Sequence, residues 1–212
     1  MIIHDVEQRS AEWYALRLGV PTASDFSKAI TPKQGKRSAQ AGAYAANLAL
    51  EIYNNEPCED FIDTEWMERG AGLEAEAISQ YEMIYDVDVT PVGFITDDKG
   101  RGCSPDGLVG SEGSVEIKCL KPVNHVAAMV EYDATGEFDA KYIPQTQGQM
   151  LIAQRAWCDL ILYAPGMPIL IIRQTPDEAY QKNLDDALSA IIETRDRALT
   201  LLRGERAKDI AA

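Results

Sequence analysis

Several large classes of protein are excluded by what this sequence does not contain. Its apolar runs are short, the stretch 169–172 among the longest, against the roughly 20 consecutive apolar residues a membrane span requires. The start, "MIIHDVEQRS", turns polar at once, with no cationic segment leading into an apolar one, so no secretion signal is expected and a cytoplasmic location is. The four cysteines form no CxxC pair and are too sparse for a disulfide framework or a zinc site in a chain of this size. Cys103 and Cys119 flank one hairpin and come within range of pairing by position, but free buried thiols are the expected state. No low-complexity tract and no internal repeat is present.

Positive charge is also scarce, with 20 Lys and Arg against 34 Asp and Glu and a net charge of -14. That balance discourages loose binding to phosphate. The acid is concentrated in residues 51–98, whereas residues 26–50 carry Lys28, Lys33, Lys36, Arg37 and no acid. This basic stretch is either a local contact for nucleic acid or a solvated loop.

The 212 residues, 46% hydrophobic and 25% charged, fit a single globular domain spanning 1–212. Residues 12–30 read as a short helix, a turn at "GVPTAS" and a second helix capped by Thr22 or Ser24. "SAQAGAYAANLALEIYN" and "TEWMERGAGLEAEAISQYEMIY" follow as helices, the second with apolar spacing through Leu73, Ala77, Ile78 and Tyr81. "VDVTPVGFI", "RGCSPDGLVG" and "SVEIKCL" predict an antiparallel meander. "YIPQTQGQMLIAQ" predicts a helix, "CDLILYA" and "PILIIRQ" buried strands, and the segment from "PDEAYQKN" to "LLRG" a long amphipathic helix. The order is helical, three strands, helix, two strands, helix, which is a mixed α/β architecture.

Chemistry concentrates in "CSPDGLVGSEGSVEIKC". Side chains of a strand alternate faces, so Glu116 and Lys118 share one face while Ile117 points to the other. The turn "VGSEGS" brings Asp106 opposite them. Two carboxylates this close repel unless a cation sits between, and Mg²⁺ suits the place because it takes oxygen ligands and keeps waters for a substrate phosphate. The main-chain carbonyl of Ile117 is a further candidate ligand. Lys118 then stands beside the reacting water, to position it, to stabilise transition-state charge, or to act as base if its pKa is depressed. The set suits phosphodiester hydrolysis. The plain alternative is an exposed hairpin with a Glu116–Lys118 salt bridge.

The pattern "SPDG…VEIK" resembles the PD-(D/E)xK nuclease superfamily, and more closely the phage lambda exonuclease family of viral recombination nucleases. "EWYALRLGVPTASDF", "RGAGLEAEA", "YIPQTQGQM" and "DEAYQKNLDDALSAI" match in order, so the resemblance covers nearly the whole chain. It implies a restriction-endonuclease-like core, a mixed central β-sheet flanked by helices. It implies Asp106 and Glu116 as metal ligands, Lys118 as the catalytic lysine, and Glu74 as a helical acid completing a two-metal site. Gln145, with Tyr142 and Gln149, resembles active-site-lining residues; a polar glutamine face is the other account. Arg17, Ser24 and Ser104 resemble a pocket for a terminal 5′ phosphate, although Arg17 by itself reads as a helix-surface residue. Met67 falls where the family has an apolar wedge between terminal base pairs, and a methionine at helical spacing is otherwise a core residue. Lys33 stands where the family has an arginine reaching the duplex, and loses that residue's fork.

What the resemblance implies is a Mg²⁺-dependent 5′-to-3′ exonuclease, with Mn²⁺ able to substitute. It would degrade one strand of linear double-stranded DNA to mononucleotides and leave a 3′ single-stranded tail for an annealing protein in recombination. It also implies a homotrimeric ring and a phage or prophage origin in a bacterial host. The alternatives are an endonuclease of the restriction or resolvase type, a DNA-binding relative without activity, and a glycosidase with a metal-free carboxylate pair.

Overall fold

A computed structural model describes residues 1–58 and 65–204, with 65–71 given by backbone alone. The main sheet has five strands in the order β2 (Val89–Thr90), β5 (Gly107–Val109), β6 (Gly113–Cys119), β7 (Trp157–Tyr163) and β8 (Leu170–Gln174). Only β6 and β7 run parallel. Parallel neighbours need a long crossover, here made by α4 (Pro122–Thr135) and α5 (Ile143–Ala153). A second antiparallel sheet joins β1 (Ile2–His4), β3 (Phe94–Thr96) and β4 (Gly102–Cys103).

The strand alternation of β6 sorts its residues between two layers. Val115 and Ile117 join Ile161 and Tyr163 of β7 in a core with Ala77 and Tyr81 of α3 (Glu65–Tyr85). Glu116 and Lys118 are in register with Leu160 and Leu162, whose core includes Tyr142 and Ala128 of the crossover. The largest core lies beyond, between α2 (Ala41–Asn54) and α6 (Glu178–Leu202). Ala41, Tyr44, Ala45, Leu48 and Ala49 make one buried stripe of α2 at helical spacing.

Sequence signals explain the element ends. Ser10 accepts from the Trp13 amide and caps α1 (Ala11–Arg17), and Asp177 caps α6 through the Tyr180 amide. Pro122 begins α4, and Gly136 closes it at φ 68°. At Gly148 a Cβ would lie 2.3 Å from the fully buried Phe26 ring, so the bare backbone lets α5 approach the 3-10 turn Ala23–Lys28.

Four expectations need correction. The meander is divided between two sheets, because each of its first two segments breaks at a proline, Pro91 or Pro105, which has no N–H for a ladder. The second helix of residues 12–30 is the 3-10 turn, and Thr22 does not cap it with its side chain. Its hydroxyl oxygen instead accepts from Arg17 Nη2 at 3.2 Å. The element order also omitted β1 and α4; α4 leaves Val123, Val126 and Val130 exposed, so its apolar residues do not mark a buried face. The cysteines are all free, but Cys58 is exposed and Cys119 half-buried, and Cys103 packs in a different core from Cys119. Among the described residues no helix is long and apolar enough to cross a membrane.

One ion-pair group fastens α6 to the smaller sheet. Arg101, 3% exposed, pairs with Asp97 and Asp185, and Lys99 reaches Asp185 at 2.8 Å. Burial works to raise the Asp185 carboxyl, but hydrogen bonds from Lys99 and Arg101 outweigh it and hold the group below its ordinary value.

A depressed folded-state value means the unfolded chain binds the proton more readily, so the stabilisation is present above the unfolded pKa and is lost as pH falls through the folded one. Acid titration of unfolding should therefore show a smaller loss of stability below pH ~4 in Asp185→Asn than in wild type. Gly148→Ala should cost about 1–3 kcal/mol by overpacking against Phe26, read as a lower denaturant midpoint.

Candidate active site

The site forms where β5 ends one residue short of what β6 needs. Asp106 donates its amide to the Val115 carbonyl at 3.1 Å, and its Oδ2 accepts from the Ile117 amide at 2.6 Å. The carboxylate thus stands in for the next strand carbonyl and satisfies a donor that the sheet edge would otherwise leave open. Gly107 permits this, since a Cβ there would lie 2.2 Å from Val89 Cγ1. A strand residue turns its N–H and C=O to the same edge, so the Ile117 carbonyl also faces the Asp106 side.

Glu116 reaches the site from one face of β6 and is 3% exposed. A buried carboxylate is tolerated only when paired and hydrogen-bonded, and the helix above supplies this. Gln145 Nε2 donates to Oε1 and Gln149 Nε2 to Oε2, each at 2.6 Å. Their spacing of four residues puts both amides on one face of α5. Lys118 Nζ lies 2.6 Å from Oε1.

Glu74 reaches the same edge from the opposite face, on the α3 stripe that carries Ala77 and Tyr81. Its two oxygens accept from Arg9 Nη2 at 3.0 and 3.1 Å. Glu74 and Asp106 line one open cavity of about 480 Å³ with the segment 5–9.

The charges of the three acids are felt at Asp106. Burial first, then the negative charges of Glu116 and Glu74, push its carboxyl well above the usual range, with the Ile117 amide opposing. On the α3 side the Cys119 thiol is pushed up to about 11 by burial, then by Glu74 and Asp106. Burial pulls Lys118 down, but the charge and hydrogen bond of Glu116 outweigh it, so the ammonium is held above its ordinary value.

Among the described residues no three His, Cys, Asp or Glu side chains converge on a single ion position. Mg²⁺ does not demand that, since it is commonly held by one or two carboxylates with waters completing the shell. Asp106, with the Glu116 charge acting on it, and Glu116 fit such a donor set together with the Ile117 carbonyl. Glu74 is turned to Arg9 instead.

Arg17, Ser24 and Ser104 belong to an adjoining cluster. The Arg17 guanidinium lies 4.1 Å from the Trp13 ring centroid and donates to Ser24 Oγ at 3.3 Å as well as to Thr22. Burial draws it below its ordinary value, against the charge of Asp25. Ser104 Oγ accepts from Trp13 Nε1 at 2.9 Å, so Trp13 connects the arginine to the segment leading into Asp106. Arg17 is therefore not a free surface arginine of α1. Lys33 is exposed, 3.7 Å from Glu137, as are Lys36 and Arg37. Met67 lies outside the residues whose side chains are described. Tyr142 is buried beside Lys118.

Arg9, Gln8 and Trp13 are the contributors that sequence reasoning missed. Gln8 Nε2 donates to the Val92 and Pro105 carbonyls at 2.7 and 3.0 Å, so the N-terminal segment braces the Asp106 turn. No local pattern marks such contacts, which join residues more than 60 apart. The role of Gln149 was open to detection, because Gln145 and Gln149 are one turn apart.

The model of the YqaJ-like viral recombinase domain matches residues 12–156. Among solved structures, the alkaline exonuclease LHK-Exo from Laribacter hongkongensis is 31% identical, with a TM-score of 0.78 over 94% of this chain and 99% of that one. Its complex with dAMP gives 32% identity and a TM-score of 0.79 at the same coverage. A phage related exonuclease from Haemophilus somnus, 14% identical, shares the fold with a TM-score of 0.69 over 86% of this chain and 96% of that one. No curated protein matches the chain. The mixed sheet with helices on both faces is the restriction-endonuclease-like fold of these neighbours. With two thirds of its length matched, and the acids of the "SPDG" and "VEIK" segments gathered at one sheet edge, the chain belongs to the YqaJ-like viral recombinase family, the lambda-exonuclease-like group.

Proposed function

We propose that this protein is an exonuclease that degrades one strand of linear double-stranded DNA from its 5′ end to mononucleotides. It leaves a 3′ single-stranded tail for a single-strand-annealing protein, in the cytoplasm of a bacterial host that carries the phage or prophage. The observation that carries this reading is the Asp106–Glu116–Lys118 constellation at the β6 edge, with Glu116 clamped by two glutamines. Kinship with alkaline exonucleases over nearly the whole chain supports the choice of exonuclease over endonuclease.

Asp106 and Glu116, with the Ile117 carbonyl and Glu74, are the residues that would hold Mg²⁺ or Mn²⁺. Bound there, such an ion supplies neutralisation of the scissile phosphate and activation of the attacking water. The protein's own groups do the rest. Gln145 and Gln149 hold the Glu116 carboxylate in one orientation. Lys118, held as an ammonium, places fixed positive charge where the phosphorane-like transition state gains negative charge. Arg17, with Ser24 and Ser104, is the anchor for a terminal 5′ phosphate, the guanidinium being suited to bidentate grip. Lys33, together with Lys36 and Arg37, contacts the duplex, and Met67 is the wedge at its end. A homotrimeric ring would let these few cations line a channel while the acidic surface faces solvent, so that enclosure substitutes for raw affinity.

A linear duplex labelled at each end, with and without a 5′ phosphate, tests the reading as Mg²⁺ is titrated. Release of the 5′ label first, abolished by EDTA, is expected, and closed circular DNA should survive. Earlier release of the 3′ label would overturn the polarity, and cutting of closed circles would favour an endonuclease. Lys118→Ala should lower turnover by about 10²–10³-fold while leaving DNA retention in a filter-binding assay within about threefold; unchanged turnover would remove the lysine from the mechanism.

A further inference from the structure

Arg9 adopts φ 70°, one of four described non-glycine residues with positive φ, in a region that a side chain with a Cβ disfavours. Of these four, Asn55, Asp86 and Gln154 directly follow helices α2, α3 and α5, where a left-handed residue is the ordinary way to end a helix. Arg9 instead precedes the cap of α1, at the third position of a turn over residues 7–10, where glycine or asparagine is the usual occupant of a positive φ. Its backbone is pinned on both sides. Ser10 donates its amide to the Glu7 carbonyl at 3.1 Å, and the Gln8 side chain is tied to Val92 and Pro105. Between these ties the Arg9 side chain meets both oxygens of Glu74, 65 residues away. A strained residue held by over-determined surroundings is a feature concentrated at functional sites.

The cavity shared by Glu74 and Asp106 is also lined by Asp5 and Glu7, and among the described residues that line it Arg9 is the one cation. Arg9 is exposed and Glu74 half-buried, with side chains 38% and 29% exposed, so the pair is open to exchange from the cavity.

We propose that Arg9 is a positioning residue acting through Glu74. It is a resident counter-ion that holds the carboxylate at the site and competes with a divalent cation for it, so the Arg9–Glu74 pair must open for Glu74 to join a cation shell. The inference rests on the cation-dependent reading above. It makes Arg9 the residue that sets how much free Mg²⁺ or Mn²⁺ the second acidic position requires, and a salt bridge serving only as a strut between the N-terminal segment and α3 would not do so.

Arg9→Gly is a clean variant, because glycine adopts the φ of 70° without strain. Mn²⁺ binding to the full-length protein without DNA, followed by titration calorimetry and by the loss of the free-Mn²⁺ paramagnetic signal, should tighten by about three- to tenfold as the Glu74 carboxylate is released from its competing partner. Arg9→Lys, which keeps the charge on a shorter side chain, should fall between. In a double-mutant cycle the effect of Arg9→Gly should vanish in the Glu74→Gln background. Unchanged or weaker Mn²⁺ binding in Arg9→Gly, beside clear binding by wild type, would overturn this inference alone. A gain that persists with Glu74→Gln would also overturn it, since the arginine would not be acting through Glu74. No Mn²⁺ binding by wild type at millimolar concentration would overturn the cation-dependent reading and this inference with it.

Discussion

The hydrogen bond from the Ile117 amide to the Asp106 carboxylate, at 2.6 Å, determines where everything else in the site can be. It places an acid in the plane of the sheet, at the point where β5 has ended and β6 still has a donor to satisfy. With Asp106 in the plane, the two faces of β6 become the two approaches to it. Glu116 comes from the α5 side and Glu74 from the α3 side, and the Ile117 carbonyl shares the edge. The fold can gather acids from three elements without long or flexible connections, because each rides on a rigid element at its contact with the same strand.

Bringing acids together at a half-dry edge is unfavourable, and the structure answers it residue by residue. Glu116 is given two amides and an ammonium; Glu74 is given one guanidinium nitrogen shared by its two oxygens. Asp106 receives a backbone amide, and burial with the charges of its neighbours raises its carboxyl. The partners are all organic donors, exchangeable with the hard cation that such a donor set accepts. The same polarity bears on how an acidic chain would hold the terminal phosphate proposed for Arg17. The positive groups are few, but Arg17 is mostly buried and stacked on Trp13, where a charge acts more strongly than on a solvated surface.

Much of this was legible in order along the chain. The alternation in "VEIK" placed Glu116 and Lys118 on one face and Ile117 on the other, which the two separate cores confirm as geometry. The i, i+4 glutamines of "YIPQTQGQM" foretold one face of a helix, and the α3 spacing through Leu73, Ala77, Ile78 and Tyr81 foretold the stripe that packs on the sheet. Other features were illegible for definite reasons. Pro91 and Pro105 divided apparent single strands between two sheets, a consequence of missing donors that local β-propensity does not register. Helix α4 keeps valines on its outer surface, so its pattern does not announce a buried face. Thr22 had the character of a helix cap, yet its hydroxyl serves Arg17.

The sequence by itself determined the longer helices and the buried strands, the hairpin that carries Asp106 and the ExK segment, and the family, because these rest on periodicities and spacings within a few residues to a few tens of residues. Only the tertiary structure decided that Glu74 answers to Arg9, that both carboxylate oxygens of Glu116 are taken by α5, and that Trp13 ties Arg17 to the turn before Asp106. Those contacts join residues some 30 to more than 90 positions apart. No local free-energy preference encodes them; they exist because packing the sheet between its helices brings distant side chains to one edge, where burial makes an unpaired charge costly and a paired one necessary.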